Sequence, residues 1–136
     1  MCRKLIVLVV VLAAVSCGNN GITLGKTEVV SYQSLGNGVA DISLKLYENE
    51  TFLFKLESLA QPESDDEPIK ISEIGTYSSD GGWKTLHFKN QKFSLEAVFD
   101  EQFLSYNEFI VIDESKVKID TTKEVIPIWG VLCERK

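Results

Sequence analysis

Two neighbouring segments in which apolar and polar residues alternate constrain the fold of this chain more than any other feature. They span residues 41–47 and 51–57, and the polar residues 48–50 lie between them. A period of two is typical of strands with one buried face, and a short polar connection favours a hairpin. The side chains predicted to point inward are those of Ile42, Leu44, Leu46, Phe52, Phe54 and Leu56.

Short strand-like segments continue to the C-terminus at intervals of about ten residues, with turn-forming residues between them. They predict an all-β fold, a small antiparallel up-and-down β-barrel of about eight strands, with a β-sandwich as the alternative. We favour the barrel because closure removes exposed strand edges. Pro127 lacks an amide hydrogen, which predicts an edge strand, a strand start or a bulge. The predicted strand segments are residues 69–71, which residues 75–77 either continue or follow as a further strand, and residues 83–89, 93–99, 109–112, 117–119 and 125–133.

Residues 1–17 have the composition of a bacterial export signal. Arg3 and Lys4 precede an apolar run over residues 5–15, which is shorter than the roughly 20 residues that a membrane span needs. Residues 14–17, Ala-Val-Ser-Cys, resemble a lipobox, the motif at which a lipoprotein signal peptide is cut before a cysteine that carries lipid. The usual motif has Leu where Ala14 stands.

This resemblance implies that residues 1–16 are a signal peptide and that Cys17 is lipidated, so that the protein is held at a membrane. A plain secretory signal cut near Ser16 and an uncleaved short anchor are the alternatives. The polar, glycine-containing residues 17–25 are predicted to be a flexible tether, and residues 26–136 a single β-barrel domain. Since the residue directly after Cys17 is Gly18 and not an acidic residue, we expect the protein at the periplasmic face of the outer membrane of a Gram-negative bacterium.

The net charge narrows the classes of expected partner, and the cysteine content indicates whether a disulfide stabilises the fold. Loss of residues 1–16 removes Arg3 and Lys4, which leaves 12 basic and 20 acidic residues and a net charge of −8. Nucleic acids and anionic lipid headgroups favour a basic face, so neither is an expected partner. With Cys2 removed and Cys17 lipidated, Cys133 is alone and is predicted to be a small core residue, so no intramolecular disulfide is expected.

Residues that carry catalytic or metal chemistry are sparse. The single histidine, His87, lies on the polar side of its predicted strand, so we expect it to face solvent and we predict neither a metal site nor a cofactor. The acidic residues 63–67 are nearly consecutive and lack the glycine of a calcium loop, which favours a solvated loop. No Gly-x-Ser-x-Gly motif occurs. The sequence therefore predicts a protein that is not an enzyme.

Five short motifs follow one another between Val39 and Phe88, at residues 40–42, 44–46, 48–52, 75–77 and 86–88. Their order resembles that in the N-terminal, lipocalin-like barrel domain of outer-membrane lipoproteins linked to copper homeostasis and surface sensing. The resemblance implies a small antiparallel barrel in the cell envelope. The family's Cys-x-x-Cys pair and second domain are absent here, so copper handling and thiol-based sensing are not implied.

Binding is the function that remains. Bulky residues are predicted to point inward, which favours a filled barrel over one that holds a small ligand. One of the pairs Trp129 with Val131 or Ile128 with Leu132 is expected to face outward. We therefore expect a non-catalytic protein that binds a protein partner in envelope maintenance or sensing, or alternatively a lipocalin-like carrier of a small apolar ligand. The candidate partner contacts are Trp129, Trp83 and Leu53.

Overall fold

The computed structural model describes residues 22–36, 39–59, 67–89 and 91–136. The predicted signal peptide, Cys17 and most of the acidic residues 63–67 lie outside the described residues. Nine β-strands are present in the described part of the chain: β1 (Glu28–Ser34), β2 (Ala40–Tyr47), β3 (Thr51–Ser58), β4 (Lys70–Asp80), β5 (Trp83–His87), β6 (Phe109–Val111), β7 (Lys116–Asp120), β8 (Val125–Ile128) and β9 (Val131–Arg135).

All nine strands belong to one antiparallel sheet in the order β6-β7-β5-β4-β3-β2-β1-β9-β8, and the sheet curls into a nearly closed barrel. This confirms the predicted all-β antiparallel barrel, with nine strands where about eight were expected. Strands β1 to β5 run up and down in chain order. The order departs from this simple pattern twice, since β5 pairs with β7 and β1 pairs with β9.

The hairpin predicted from residues 41–57 is formed by β2 and β3. Their register runs from Ala40 opposite Ser58 to Leu46 opposite Phe52. Because both strands keep a period of two, the six apolar side chains predicted to point inward are all buried. The prediction is confirmed residue by residue.

Gly75 lies on the inward side of β4, where the chain passes close to its neighbours. A β-carbon at this position would lie 2.4 Å from the carbonyl oxygen of His87 and 2.5 Å from the ring of Phe52. Only a residue without a side chain fits, so a glycine is needed for β5 and the core to approach β4.

Residues 93–99 do not form the predicted strand. Leu95–Val98 is a one-turn helix, α1, followed by a 3₁₀ turn over Glu101–Phe103. The Ser94 hydroxyl caps the helix by accepting the N–H of Ala97 at 3.3 Å. The prediction followed the alternation that ends at Phe99, but the buried residues are spaced by three and four, as on a helix. They are Leu95, Val98 and Phe99, whereas Ala97 is exposed.

Residues 125–133 form two strands where the sequence predicted one. The chain reverses at Trp129 and Gly130, whose φ angles are +55° and +70°, as a two-residue hairpin turn requires. The reversal changes which residues share a face, so neither predicted pair faces outward: Ile128 and Val131 are buried, and Leu132 is exposed. β8 lies at the end of the strand order, which confirms the edge position among the alternatives for Pro127.

Aromatic rings fill the centre of the barrel. The ring of Phe88 lies edge-on to Phe52 at 4.9 Å between centroids and to Phe93 at 5.5 Å. Phe99 reaches Phe109 at 5.5 Å, which ties α1 to β6. Such edge-to-face pairs stabilise a core beyond the effect of burial alone.

Cys133 points into this core from β9 and is fully buried, as predicted. Burial disfavours the thiolate and raises the pKa of the thiol to about 12.

Candidate functional site

Leu53 lies on the outer face of β3, as expected from its parity. Its cross-strand neighbours are Lys45 on β2 and Ile74 on β4. Leu53 is half-buried between them, and Ile74 is exposed. The two apolar side chains form a small patch on a face that otherwise carries polar residues.

Trp83 begins β5 and is half-buried. It lies on the outer face because it is out of phase with the buried Leu86. The ammonium of Lys118 lies 5.3 Å from the centroid of its ring, close enough for a cation–π contact. This contact already occupies one face of the indole.

Trp129 lies in the turn between β8 and β9, where its main-chain N–H donates to the carbonyl oxygen of Val98 at 2.6 Å. Its side chain is half-buried against the core. A tryptophan with a positive φ is unusual. The hydrogen bond from its N–H to Val98 in α1 holds the turn in this conformation. Trp129 therefore acts first as a link between α1 and the β8–β9 hairpin.

The structure does not bring these three candidates together. Leu53 and Trp83 are opposite Ile74 and Asp80 of β4, which are about 20 Å apart along the strand. Trp129 lies on the other side of the sheet order, beyond β1. No single surface contains all three residues.

A different surface is present where the barrel fails to close. We call the gap between the two end strands, β6 and β8, the seam, since these strands pair only with β7 and β9 within the described residues. One half of the seam, beside the end of β8, is covered by α1 and the 3₁₀ turn that follows it. The N–H of Trp129 donates to the carbonyl oxygen of Val98 in α1, and the ring of Phe103 in the 3₁₀ turn packs over Gly130.

The other half of the seam contains a groove of about 280 Å³, which we call the seam groove. Its apolar surface comes from Tyr106, Val125 and Leu132, which are 77%, 36% and 55% exposed. Its remaining lining residues are Ser105, Glu108, Lys123 and Glu124.

Charged groups of the groove are largely engaged within the chain. The Glu108 side chain is buried and its carboxylate accepts main-chain N–H groups of Ser105 and Tyr106. The Lys123 ammonium lies 6.0 Å from the Tyr106 ring centroid. Glu124 pairs with Arg135 at 3.2 Å. The groove therefore combines an apolar surface with polar groups that already have partners within the chain.

Sequence reasoning missed the seam groove because its residues come from three separate segments. Of the apolar residues that line the groove, only Leu132 belongs to a pair for which an outward position was predicted, and its partner in that pair, Ile128, is buried. The signals in the sequence were Pro127, for which an edge strand was one of three alternatives, and Gly130, since a glycine readily adopts the positive φ of a tight turn. Neither indicates what lies beside that edge.

A second concavity, of about 480 Å³, lies at the end of the barrel beside α1. It is lined by Gln91, Phe93, Ser94, Leu95, Glu96 and Glu114. Glu73 points inward from β4, opposite Phe54. Burial raises the pKa of Glu73, and the nearby positive charge of Lys92 opposes that effect. The lining is mixed, with two carboxylates and two apolar side chains, and it is open to solvent.

The first described residues are held against the β2–β3 turn. The Gly25 N–H donates to the Thr51 hydroxyl at 3.1 Å, and the Asn49 amide donates to the carbonyl of Thr23 at 2.9 Å. The carboxylate of Glu48 accepts the N–H of Thr27 at 2.8 Å, which lowers the pKa of Glu48. The described end of the predicted tether, residues 22–25, thus bonds to the domain and fixes where the N-terminus leaves the barrel.

In the described part of the chain, no group of three or more His, Cys, Asp and Glu side chains is placed to hold a metal ion. None of its helices has both the length and the hydropathy to cross a membrane.

No family model, curated protein or solved structure matches the chain. The resemblance to the lipocalin-like domain of envelope lipoproteins therefore stays a prediction.

Proposed function

We propose that this chain is a lipid-anchored protein of the cell envelope that binds a protein partner and does not act as a catalyst. The observation that carries the proposal is the filled barrel. A barrel of about eight strands either holds one small ligand or fills its interior with side chains. Here Phe52, Phe54, Phe88 and Phe99 occupy the centre, and each is at most 5% exposed.

The apolar surface supports binding on the outside of the barrel. Tyr106 and Leu132 are more than half exposed and line one groove, and exposed apolar groups that are contiguous mark protein contacts. The alternative, a carrier of a small apolar ligand, needs a space inside the barrel that these aromatic rings fill.

The lipid anchor is part of the proposal and rests on the sequence of residues 1–17. The bonds that hold Thr23 and Gly25 to the β2–β3 turn support a defined attachment, because the chain reaches the barrel at one end. A lipidated Cys17 would be followed by only a few residues before that attachment. The domain would then be held close to the membrane with its β2–β3 turn nearest to it.

Native mass spectrometry of the full chain, extracted gently from the membranes in which it is made, tests both parts. We expect a mass that corresponds to cleavage before Cys17 plus acyl chains, with no small molecule retained. The matched control is Cys17→Ser, for which we expect neither acylation nor the mass that corresponds to cleavage before residue 17. An unacylated wild-type mass would refute the anchor.

Tryptophan fluorescence separates the two binding functions. Trp129 packs against the core, so a ligand that entered the barrel would change its environment. On titration with a fatty acid we expect no saturable change. A saturable shift that is abolished by Trp129→Phe and kept by Trp83→Phe would favour the carrier and count against the filled barrel.

A further inference from the structure

The strand count explains why the barrel has a seam. Neighbouring strands of this sheet are all antiparallel, so strand direction alternates through the order of nine. In a sheet with an odd number of strands, the first and the last run in the same direction. β6 and β8 therefore cannot pair with each other in the antiparallel manner of the rest of the sheet. A segment that paired with either of them in the manner of the rest of the sheet would have to run antiparallel to both.

The open side of β8 can be assigned from its pairing with β9. The carbonyl of Glu124 accepts the N–H of Arg135 at 2.8 Å, so the main-chain groups of Glu124 point toward β9. Because these groups alternate along a strand, those of Val125 and Pro127 point toward the seam. Val125 offers both an N–H and a carbonyl there, whereas Pro127 offers only a carbonyl.

Pro127 limits how much of this edge a new strand can use. An added strand loses a main-chain bond at Pro127, and the Phe103 ring packed over Gly130 blocks the region beyond the proline. The usable part of the edge is therefore the start of β8, at Val125. This is also where the seam groove lies.

The groove supplies what an added strand needs besides main-chain bonds. Strand addition draws affinity from the main chain and specificity from pockets that receive alternate side chains. Tyr106, Val125 and Leu132 form such an apolar pocket beside the edge. Its volume of about 280 Å³ accommodates one or two large side chains, so a short segment is sufficient.

Charge defines the occupant further. Glu134 is exposed and lies opposite Val125 on β9, so its side chain borders the pocket on the outer face. Lys123 and Glu124 have partners within the chain, whereas no ion pair is present for Glu134 among the described residues. A basic side chain on the added strand would complement Glu134.

We propose that the seam is the docking site for an extended segment of a protein partner, which adds beside β8 with an apolar side chain in the seam groove and a lysine or arginine near Glu134. The proposal rests on the proposed function, since it names the surface and the kind of segment through which that partner binds.

Site-specific photocrosslinking tests the location in cells that make the full chain. The photoreactive residue p-benzoyl-L-phenylalanine is placed at position 132, in the groove, and in a matched strain at position 74. Ile74 is a suitable control because it is also an exposed aliphatic residue, 41% exposed, on the outer face of another strand. We expect a discrete adduct with one other protein from position 132 and none from position 74.

The identity of the crosslinked segment tests the chemistry. We expect mass spectrometry to place the adduct in a segment that contains an apolar residue and a lysine or arginine within a few positions. A synthetic peptide of that segment is then titrated against the purified domain. Leu132→Asp and Glu134→Lys are each expected to weaken its affinity about tenfold or more, and Ile74→Asp less than about twofold.

The main-chain contribution is tested with Val125→Pro, which removes the N–H that faces the seam and leaves the bond between Glu124 and Arg135 available. We expect weaker peptide binding, again by about tenfold or more. Unfolding midpoints of all four variants are compared with wild type so that a loss of folding is recognised. Leu132 and Glu134 are exposed, so their variants keep the test valid even where Val125→Pro unfolds.

Each other outcome contradicts the proposal in a different way. An adduct from position 74 alone, or equally from both positions, would place the partner elsewhere and leave the proposed function standing. An adduct of twice the chain mass would make the occupant a second copy of this chain. A scan of the exposed positions of all nine strands that gave no adduct would refute the proposed function together with the seam.

Discussion

The meander formed by β2 to β5 and the closing segment, residues 91–108, both bury apolar side chains, but the spacing of the buried residues along the chain differs. In β2 and β3 of the meander, buried residues alternate with more exposed ones over Ala40–Leu46 and Phe52–Leu56, and all four strands of the meander follow the chain order. In the closing segment, Leu95, Val98 and Phe99 are buried with helical spacing. Both regions contribute phenylalanines to the same core, yet the sequence pattern predicts the structure correctly only in the meander.

The difference shows how far a local pattern determines structure. In the meander, each strand has neighbours on both sides, so main-chain bonds enforce the period of two. The closing segment has no strand to pair with, and its shape depends on the cap at Ser94 and on what its side chains touch. A period of two over seven residues is therefore a weak predictor where no partner strand is adjacent.

The largest effect is expected for Phe54→Ala in the meander. The Phe54 ring contacts the rings of Phe88 and Phe99 at 6.0 and 5.9 Å between centroids, so removal leaves a cavity between the two regions. We expect a loss of about 3–5 kcal/mol in the free energy of unfolding, measured by urea denaturation. The control Leu53→Ala, on the opposite face of the same strand, should cost less than about 1.5 kcal/mol, and equal losses would contradict the assigned faces.

Gly130→Ala tests how the closing segment is held to the β8–β9 turn. Gly130 has φ of +70°, and an added β-carbon would lie 3.2 Å from the Phe103 ring. We expect a loss of about 1–2 kcal/mol. The matched variant is Gly81→Ala, where φ is +62° and no atom lies within 4 Å, so it reports the backbone effect alone. A smaller loss at Gly130 than at Gly81 would show that Phe103 does not pack there.

The pH dependence of stability tests the burial of Cys133. Its pKa rises from 9.0 to about 12 on folding, so above pH 9 the unfolded chain loses a proton that the folded chain keeps. Stability is therefore full below pH 9 and falls as the pH rises toward 12, by about 1.4 kcal/mol per unit. Urea unfolding of wild type and Cys133→Ala at pH 8 and pH 10 measures this.

For Cys133→Ala we expect that fall to be smaller by about 1.4 kcal/mol between these two pH values. Tyr32→Phe serves as the comparison, because burial raises the pKa of Tyr32 from 10.0 to about 12, which acts mainly above pH 10. The same pH slope in Cys133→Ala as in wild type would mean that the thiol is accessible to water.

The smallest effect is expected for Ser94→Ala, which removes the cap of α1. The Ser94 hydroxyl accepts the N–H of Ala97, and loss of such a cap costs about 1 kcal/mol. Hydrogen exchange of the Phe99 N–H, which donates to Leu95, should increase. Ser94→Asp keeps an acceptor and should retain most of the stability. If it were as destabilising as Ser94→Ala, the cap would not explain the helix.

The sequence by itself determined the β2–β3 hairpin and the burial of Cys133, because alternation and apolar neighbours act over a few residues. It also limited Pro127 to an edge strand, a strand start or a bulge, since a missing amide hydrogen has the same consequence in any sheet. The candidate contacts Leu53 and Trp83 were correctly placed outside the core, but their wide separation was not visible in the pattern.

The tertiary structure alone decided the strand order, the helical closing segment and the seam groove. β9, near residue 136, pairs with β1, near the start of the described residues. β6 and β8 run in the same direction because strand direction alternates through the nine strands of the sheet. Tyr106, Val125 and Leu132 meet only as a result of that arrangement. No local sequence pattern predicts that these three residues lie together. Their proximity depends on the number of strands in the sheet, which leaves the seam between β6 and β8, and on the segment that covers part of that seam.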